Sequence, residues 1–475
     1  MAIGDSESFK KRKSFVQIFK DYDFFRRSYE GGSAYRDGKF LIQHPREKGP
    51  DYERRLEQAS FVNFCRDVVE IYVSYLYREQ PERKAEKSDE VLEAFLKNAD
   101  LEGRAWGKVM RNLSKMASYY GVMGAIVDKP KGEAEASRGA ELEAGVRPYI
   151  AAYTPLAIWD WKFGKDENGV PRLEWIVLEE DNDNGPTVLI KWGLETWERF
   201  KQEGDNGSGN DFKSFELGDN NLDQIPFALL LNRDSFKKMT GVSDIADIAP
   251  VNRRIYYLDS DALEIIDATA FPILEGPVEA IEDSSGKSQE TEIGVQSLLK
   301  RPEDKEGFKW IEAPHTSLQQ ILEHRNSSIN DIKYMAKTGQ ADASKTGQVK
   351  SGVALELEFQ QLSALMVDKA ENAEDFEHRV FELVGLWEDK DYEMIVKYAR
   401  SFGIRDLMHD LDTAITSKAV VLSPTFQAEL AKAFAARILP KDTPPETIEQ
   451  INNELDNPAP LPGSEDDGDD EGGTA

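Results

Sequence analysis

The chain is poor in the residues that carry most enzyme chemistry. It has one cysteine, Cys65, so no internal disulfide can form, which fits a reducing compartment. Cys65 falls in an amphipathic helical pattern and reads as a small buried hydrophobe, not a nucleophile. The five histidines, His44, His315, His324, His378 and His409, are scattered and form no metal-ligand spacing. Neither Gly-x-Ser-x-Gly nor His-Glu-x-x-His occurs. No run of eighteen apolar residues exists, so no transmembrane helix and no membrane partner is expected. No apolar segment follows the basic cluster Lys10–Lys13, so no secretory signal is expected. Positive charge is also scarce. The 59 Lys and Arg face 88 Asp and Glu, a net charge of −29. That excludes a surface that grips duplex DNA by neutralising phosphates. It allows a wall past which DNA slides, although acidity also simply aids solubility.

What is present is a long chain with a changing period. Its 475 residues suffice for two to four domains or one elaborated one. Residues 1–50 read as irregular. Residues 51–78 read as one helix, with Leu56, Phe61, Phe64, Val68, Ile71 and Tyr75 at helical steps. Residues 88–128 hold two more helical segments and an apolar end able to become a strand. From Pro148 the period changes to two, with strands expected at 149–153, 158–163, 173–178, 188–192 and 225–230. Turn signals separate them at 166–169 and 183–185, and 204–210 reads as a polar loop.

Residues 241–387 carry the arrangement that points to a role. A helix with Ile245, Ile248, Ile255, Leu258, Ala262 and Ile265 on one stripe ends near Phe271-Pro272. Pro250 must kink it or begin a new helix there. A strand-like tip follows, with strands expected at 271–274, 294–299 and 308–312. A second helix, Ser317 to Lys337, opens on Ser317 and Gln320 in capping-box spacing. A small-residue loop, 339–352, leads into a third helix from Val353 to about Glu388. Its seam of Leu355, Phe359, Leu362, Met366, Ala373, Phe376, Val380, Leu383 and Trp387 has one polar break, Lys369. The seam fits lengthwise packing against other helices or an ordinary bundle equally. Two helices that leave and re-enter a body make a stalk whose flanks need neighbours. Residues 391–455 read as helical, and the acidic stretch 457–475 as disordered.

Two motifs fail on inspection. The loop Gly339–Thr346 is a defective Walker A, with Ser344 where the second glycine belongs and a helix where a strand should precede it. A nucleotide hydrolase built on it is the weakest reading. The Asp181–Gly185 stretch lacks the twelfth-position Glu of a calcium loop and reads as a hairpin turn. Neither a cofactor nor a metal is called for, and no catalytic residue is expected.

Three stretches resemble the portal proteins of long-tailed bacteriophages. They are Tyr52–Leu56 with Ala59–Asn63; Val242–Ile248 with Asn252, Tyr256-Tyr257, Ser260-Asp261 and Thr269–Pro272; and Ser351–Leu355. The resemblance covers most of residues 30–390. It implies an α+β portal-type subunit, one of a ring of usually twelve, at one capsid vertex of the virion after assembly in the host cytoplasm. Residues 1–240 would be an α/β wing, helical first and β-rich over 148–232. Residues 241–270 and 315–338 would be the stem helices, and 271–314 a small clip. Residues 339–352 would be the tunnel loop, 353–390 the long wing helix, and 391–456 a crown-like helical region. Double-stranded DNA would pass Lys345, Gln348 and Lys350. The clip residues Glu282, Asp283, Lys287, Glu290 and Glu292 would dock the terminase large subunit and later a head–tail adaptor. Major capsid and scaffolding proteins would surround the ring. Another head–tail connector or virion structural protein is the alternative, though those are commonly shorter or β-dominated.

Overall fold

The computed structural model describes residues 6–45, 47–130, 145–182, 185–203, 211–270, 273–277, 298–301, 309–311, 315–337, 352–400, 429, 432 and 444–456. By contacts the chain divides into two units, Met1–Phe402 and Gly403–Ala475. Within the second, the described helix is Pro445–Asp456. All that follows concerns the first.

The N-terminal region is more ordered than its composition suggests. Strand β1 (Ser6–Ser8) and a 3-10 turn lead into helices α1 (Val16–Glu30) and α2 (Gly32–Asp37), inside the stretch expected to be irregular. The single helix expected over 51–78 is two, α3 (Gly49–Gln58) and α4 (Phe64–Leu76). The break falls at 59–63 because the Asn63 side chain accepts from the Arg66 amide and caps α4. Strand β2 (Glu82–Ala85), helices α5 (Glu90–Lys97) and α6 (Trp106–Tyr120) and strand β3 (Val122–Asp128) follow. This is the helix–helix–strand order expected for 88–128.

The β-rich part forms two sheets. Strands β4 (Tyr149–Tyr153), β5 (Ile158–Lys165), β6 (Pro171–Glu180) and β7 (Val188–Gly193) lie where period-two patterning placed them. Strands β8 (Thr196–Gln202) and β9 (Asp211–Asp219) were not expected, because their charged outward positions mask the alternation. Strand β10 is Phe227–Leu231. The larger sheet is antiparallel, in the order β1-β9-β8-β7-β6-β5; the smaller is β10-β3-β4. Alternation gives the larger sheet two apolar faces. Ile176, Leu178, Ile190 and Trp192 meet Ile126 and Phe227 of the smaller sheet, while Val177, Leu189, Phe200 and Phe212 meet Phe9.

A helical hairpin and a long helix complete the unit. Helix α7 (Ile248–Ala270) and helix α8 (His315–Met335) pack on each other. Between them lies a three-stranded sheet, β11 (Ile273–Pro277) parallel to β12 (Leu298–Arg301) and antiparallel to β13 (Lys309–Ile311). Pro250 is the third residue of α7, so it begins a helix and does not kink one. Helix α8 starts at His315, which places Ser317 inside its first turn and not at the cap. Helix α9 runs Gly352–Trp387 along the expected seam, with Leu362, Met366, Ala373, Phe376, Val380 and Leu383 buried. Residues 394–397, expected to be helical, form strand β14 (Met394–Lys397) paired with β2.

The main core joins α4, α6, β3 and α9. Inside it the fully buried carboxylate of Glu377 on α9 receives Arg83 through two bonds of 2.5 and 2.6 Å, Trp106 Nε1 at 2.8 Å and the Tyr398 hydroxyl at 2.5 Å. Four donors saturate a buried charge, and they tie the β2–β14 ribbon to the long helix. We predict that Glu377→Ala, which strands the Arg83 cation, costs about 3–5 kcal/mol. The urea unfolding midpoint measures it, and a loss near zero would show the cluster to be dispensable.

Candidate functional site at the root of the helical hairpin

The hairpin is fixed to the body at a small set of polar contacts. Its first anchor is set by glycine. Helix α6 ends at Gly121, which is left-handed (φ 97°), and a Cβ there would lie 2.6 Å from the Gly241 carbonyl oxygen. Gly241 meets the same limit from the other side, 2.0 Å from the Gly121 oxygen. This close approach lays residues 242–244 across the end of α6. The last carbonyls of α6 find donors there. The Asp244 amide donates to the Ser118 oxygen (2.9 Å) and Ser243 Oγ to the Tyr119 oxygen (2.7 Å).

The Asp244 side chain then lies, fully buried, at the carbonyl end of a helix, a poor place for a carboxylate. Cations and a hydroxyl compensate it. Lys369 Nζ and Ser118 Oγ both bond Oδ2, and the Arg233 guanidinium lies 3.7 Å from Oδ1. Lys369 is the polar break in the seam of α9. It is 5 % exposed, and burial pulls its pKa down while Asp244 pulls it up. Its ammonium also lies 5.1 Å from the centre of the Tyr72 ring. The Tyr72 hydroxyl in turn donates to the Ala336 carbonyl, at the end of α8, at 2.6 Å. One buried chain of contacts, Asp244–Lys369–Tyr72–Ala336, therefore joins both limbs of the hairpin to α9 and α4.

A second set holds the outer face of α7. Asn252, with no exposed surface, accepts from the Phe64 and Cys65 amides (3.0 and 3.2 Å) and donates to the Val62 carbonyl (2.8 Å). It supplies a cap to α4 from a helix far along the chain. Tyr256 packs against Tyr35 and Phe61, and Tyr257 and Arg253 both donate to the Phe40 carbonyl. Arg55, 3 % exposed, bonds Glu47 at 2.7 and 2.8 Å, Ser260 Oγ at 3.2 Å and the Ile42 carbonyl. Arg54 reaches Glu264 at 2.9 Å, and Arg325 of α8 pairs with Asp259 across the hairpin. The quoted stretches 52–63 and 242–261 thus face each other. Burial pushes the Cys65 thiol up, away from nucleophilic use.

The predicted site residues Glu282, Asp283, Lys287, Glu290 and Glu292, and Lys345, Gln348 and Lys350, lie outside the described residues. So do the 204–210 loop, the 339–351 loop and the 183–184 part of the turn. Asp244, Asn252 and Tyr72 were not singled out by chemistry. The legible signal was Lys369, a lysine where the heptad demands an apolar residue.

Comparison with known proteins decides the family. The family model described as phage portal protein, SPP1 Gp6-like, matches residues 10–392. The chain belongs to the phage portal protein family. Portal proteins are structural virion components that assemble as rings of their own kind, not enzymes. The portal chain is also similar to solved structures from gene transfer agent particles. One is the neck of the empty particle computed with C6 symmetry, at 10% identity and TM-score 0.43. Two others, the neck of the native particle computed with C12 symmetry and the virion of the native particle, are at 9% and 0.38. Each comparison covers 77% of this chain and 89% of the other. No curated protein matches the sequence.

Two predictions follow from the root. Asp244→Asn or Lys369→Met alone leaves an unpaired buried group and costs about 3–5 kcal/mol, whereas the double substitution costs less than the sum. A double-mutant cycle in urea tests this, and strict additivity would dissolve the pair. The Arg55 hydrogen bonds hold Glu47 down to about 2 from its ordinary 4.5. A depressed carboxylate stabilises the fold fully above pH 4.5 and loses that contribution as pH falls toward 2. Stability measured from pH 5 to 2 should fall less steeply in Glu47→Gln; identical slopes would refute the assignment.

Proposed function

We propose that this portal subunit is one of twelve in a ring around an open axis, through which double-stranded DNA enters the capsid and later leaves. The observation that carries the reading is a helical hairpin rooted at both ends by one buried contact chain, within a portal family chain. Such a hairpin is a spoke of fixed direction. Its flanks carry apolar side chains in water: Ile266 on α7, and Leu322 and the 87 % exposed Tyr334 on α8. Closed heterologous contacts between copies cover such flanks. In this reading α7 and α8 are the stem, 271–314 the clip, 339–352 the tunnel loop and 353–390 the long wing helix. Residues 1–240 are the wing, and the region after the long helix is crown-like, apart from strand β14.

The clip residues Glu282, Asp283, Lys287, Glu290 and Glu292 dock the terminase large subunit and then the head–tail adaptor. Capsid and scaffolding proteins surround the ring after assembly in the bacterial cytoplasm. The acidic surface resists binding of passing DNA. Lys345, Gln348 and Lys350 repeat around the axis as a sparse girdle that touches phosphates without holding them.

Negatively stained particles of purified protein should be rings with a central hole. A single subunit at every concentration would end the reading. Ile266→Asp with Leu322→Asp should shift native mass from ring to monomer and leave the circular dichroism unchanged; intact rings would remove these flanks from the interface. Lys345→Glu with Lys350→Glu should reduce packaged DNA and leave ring assembly unaltered. Normal packaging in that variant would discard the girdle.

A further inference from the structure

Residues 6–12 lie on the larger sheet in the manner of a bound peptide. Ser6, Glu7 and Ser8 pair antiparallel with Lys213, Phe212 and Asp211 and extend the sheet at its β9 edge. Phe9 then drops into a cleft between Phe200 (centroids 4.8 Å) and Phe212 (5.6 Å), with Val177, Leu189, Trp159 and Trp175 around it. The Glu7 carboxylate accepts from Lys191 Nζ at 2.8 and 3.0 Å, and that ammonium lies 5.7 Å from the Phe9 ring. The segment ends at the opposite edge of the same sheet. The Arg12 amide donates to the Trp159 carbonyl at 3.0 Å, and its guanidinium bonds Asp160 and stacks on Trp161. Strand addition, one aromatic anchor and one charge at each end are the elements by which extended peptides are recognised.

The occupant does not fill its cleft. A cavity of about 130 Å³ remains beside it, lined by Phe9, Trp159, Trp175, Val177 and Lys191 among others. Strand pairing covers only Ser6–Ser8, and the rest of the segment is held by the Phe9 ring and by the side-chain contacts at its two ends, so each part can be exchanged for a like group from another strand.

We propose that this cleft is a strand-acceptor site, and that residues 6–12 are a strap occupying it in cis. The partner it fits is an extended segment of another protein with an acidic residue two positions before a tryptophan. The acid replaces Glu7 on Lys191, and the larger ring fills the space that Phe9 leaves. A second copy of this chain carries that spacing at Glu195–Trp197, but Thr196 and Trp197 belong to β8, which is paired on both sides by β7 and β9, and its own strap offers only the same Phe9.

The test uses the full chain and labelled synthetic peptides with the sequence of residues 6–13, with Phe or Trp at the position of Phe9. The Phe9→Ala chain should bind the Trp peptide at least tenfold more tightly than the unaltered chain does. Adding Lys191→Glu should remove that gain. Hydrogen exchange in residues 211–219 should slow on binding. No binding to a Phe9→Ala chain whose melting matches the unaltered protein overturns the proposal. Equal binding of the Phe and Trp peptides assigns the cleft to a second copy and overturns the stated partner. Should Phe9→Ala fail to fold, the unaltered chain decides. Excess Trp peptide must then accelerate exchange in residues 6–12 while a scrambled peptide does not, and no acceleration overturns the site.

Discussion

A carboxylate buried at the carbonyl end of a helix is the constraint around which the hairpin is built. Asp244 reaches that position because Gly121 and Gly241 let two backbones meet without side chains between them. Once there it requires a cation, and Lys369 supplies it from the middle of the long helix. The pair adds little net stability against an apolar alternative, since both groups give up water to meet. What it adds is position. Lys369, midway along α9, is bonded to Asp244, so the long helix cannot slide along its apolar seam without breaking the pair. Tyr72 passes the same constraint to the end of α8. Register, not adhesion, is the service of this cluster.

The body repeats the device on a different scale. Glu377, eight residues further along α9, gathers Arg83, Trp106 and Tyr398. Two buried ionic centres on one helix fix its rotation and its height together. The helix downstream of Leu362 is therefore held to the body at two points.

Much of this was legible in the chain, and the failures are physical. The strands from 149 to 192 announced themselves as short runs of β-branched and aromatic residues between turn signals. Strands β8 and β9 did not, because Glu198, Arg199, Lys213 and Glu216 dilute the alternation, although Phe200 and Phe212 are fully buried. Helix α1 was missed although Phe15, Ile18, Phe19, Tyr22, Phe25 and Tyr29 recur at three- and four-residue steps; that face packs on the core, with Tyr22 against Tyr120 and Tyr29 stacked on Tyr119. The break between α3 and α4 depends on Asn63 and Asn252, and no local pattern shows that an asparagine 188 residues away will complete a cap. Of the root, only Lys369 showed itself, as a charge in an apolar seam. Its partner Asp244 is one acid among 88 acidic residues and carries no local mark.

The cap that Asn252 gives to α4 has a consequence for synthesis. The amide of Phe64 leaves the ribosome long before its acceptor, 188 residues later in the chain. At bacterial elongation speeds of about 5–20 residues per second, the interval is roughly 10–40 s. During it the first amides of α4 lack the Asn252 acceptor, and Tyr35 and Phe61 lack their cover from Tyr256. The N-terminal third thus completes its packing only once the first limb of the hairpin has been made.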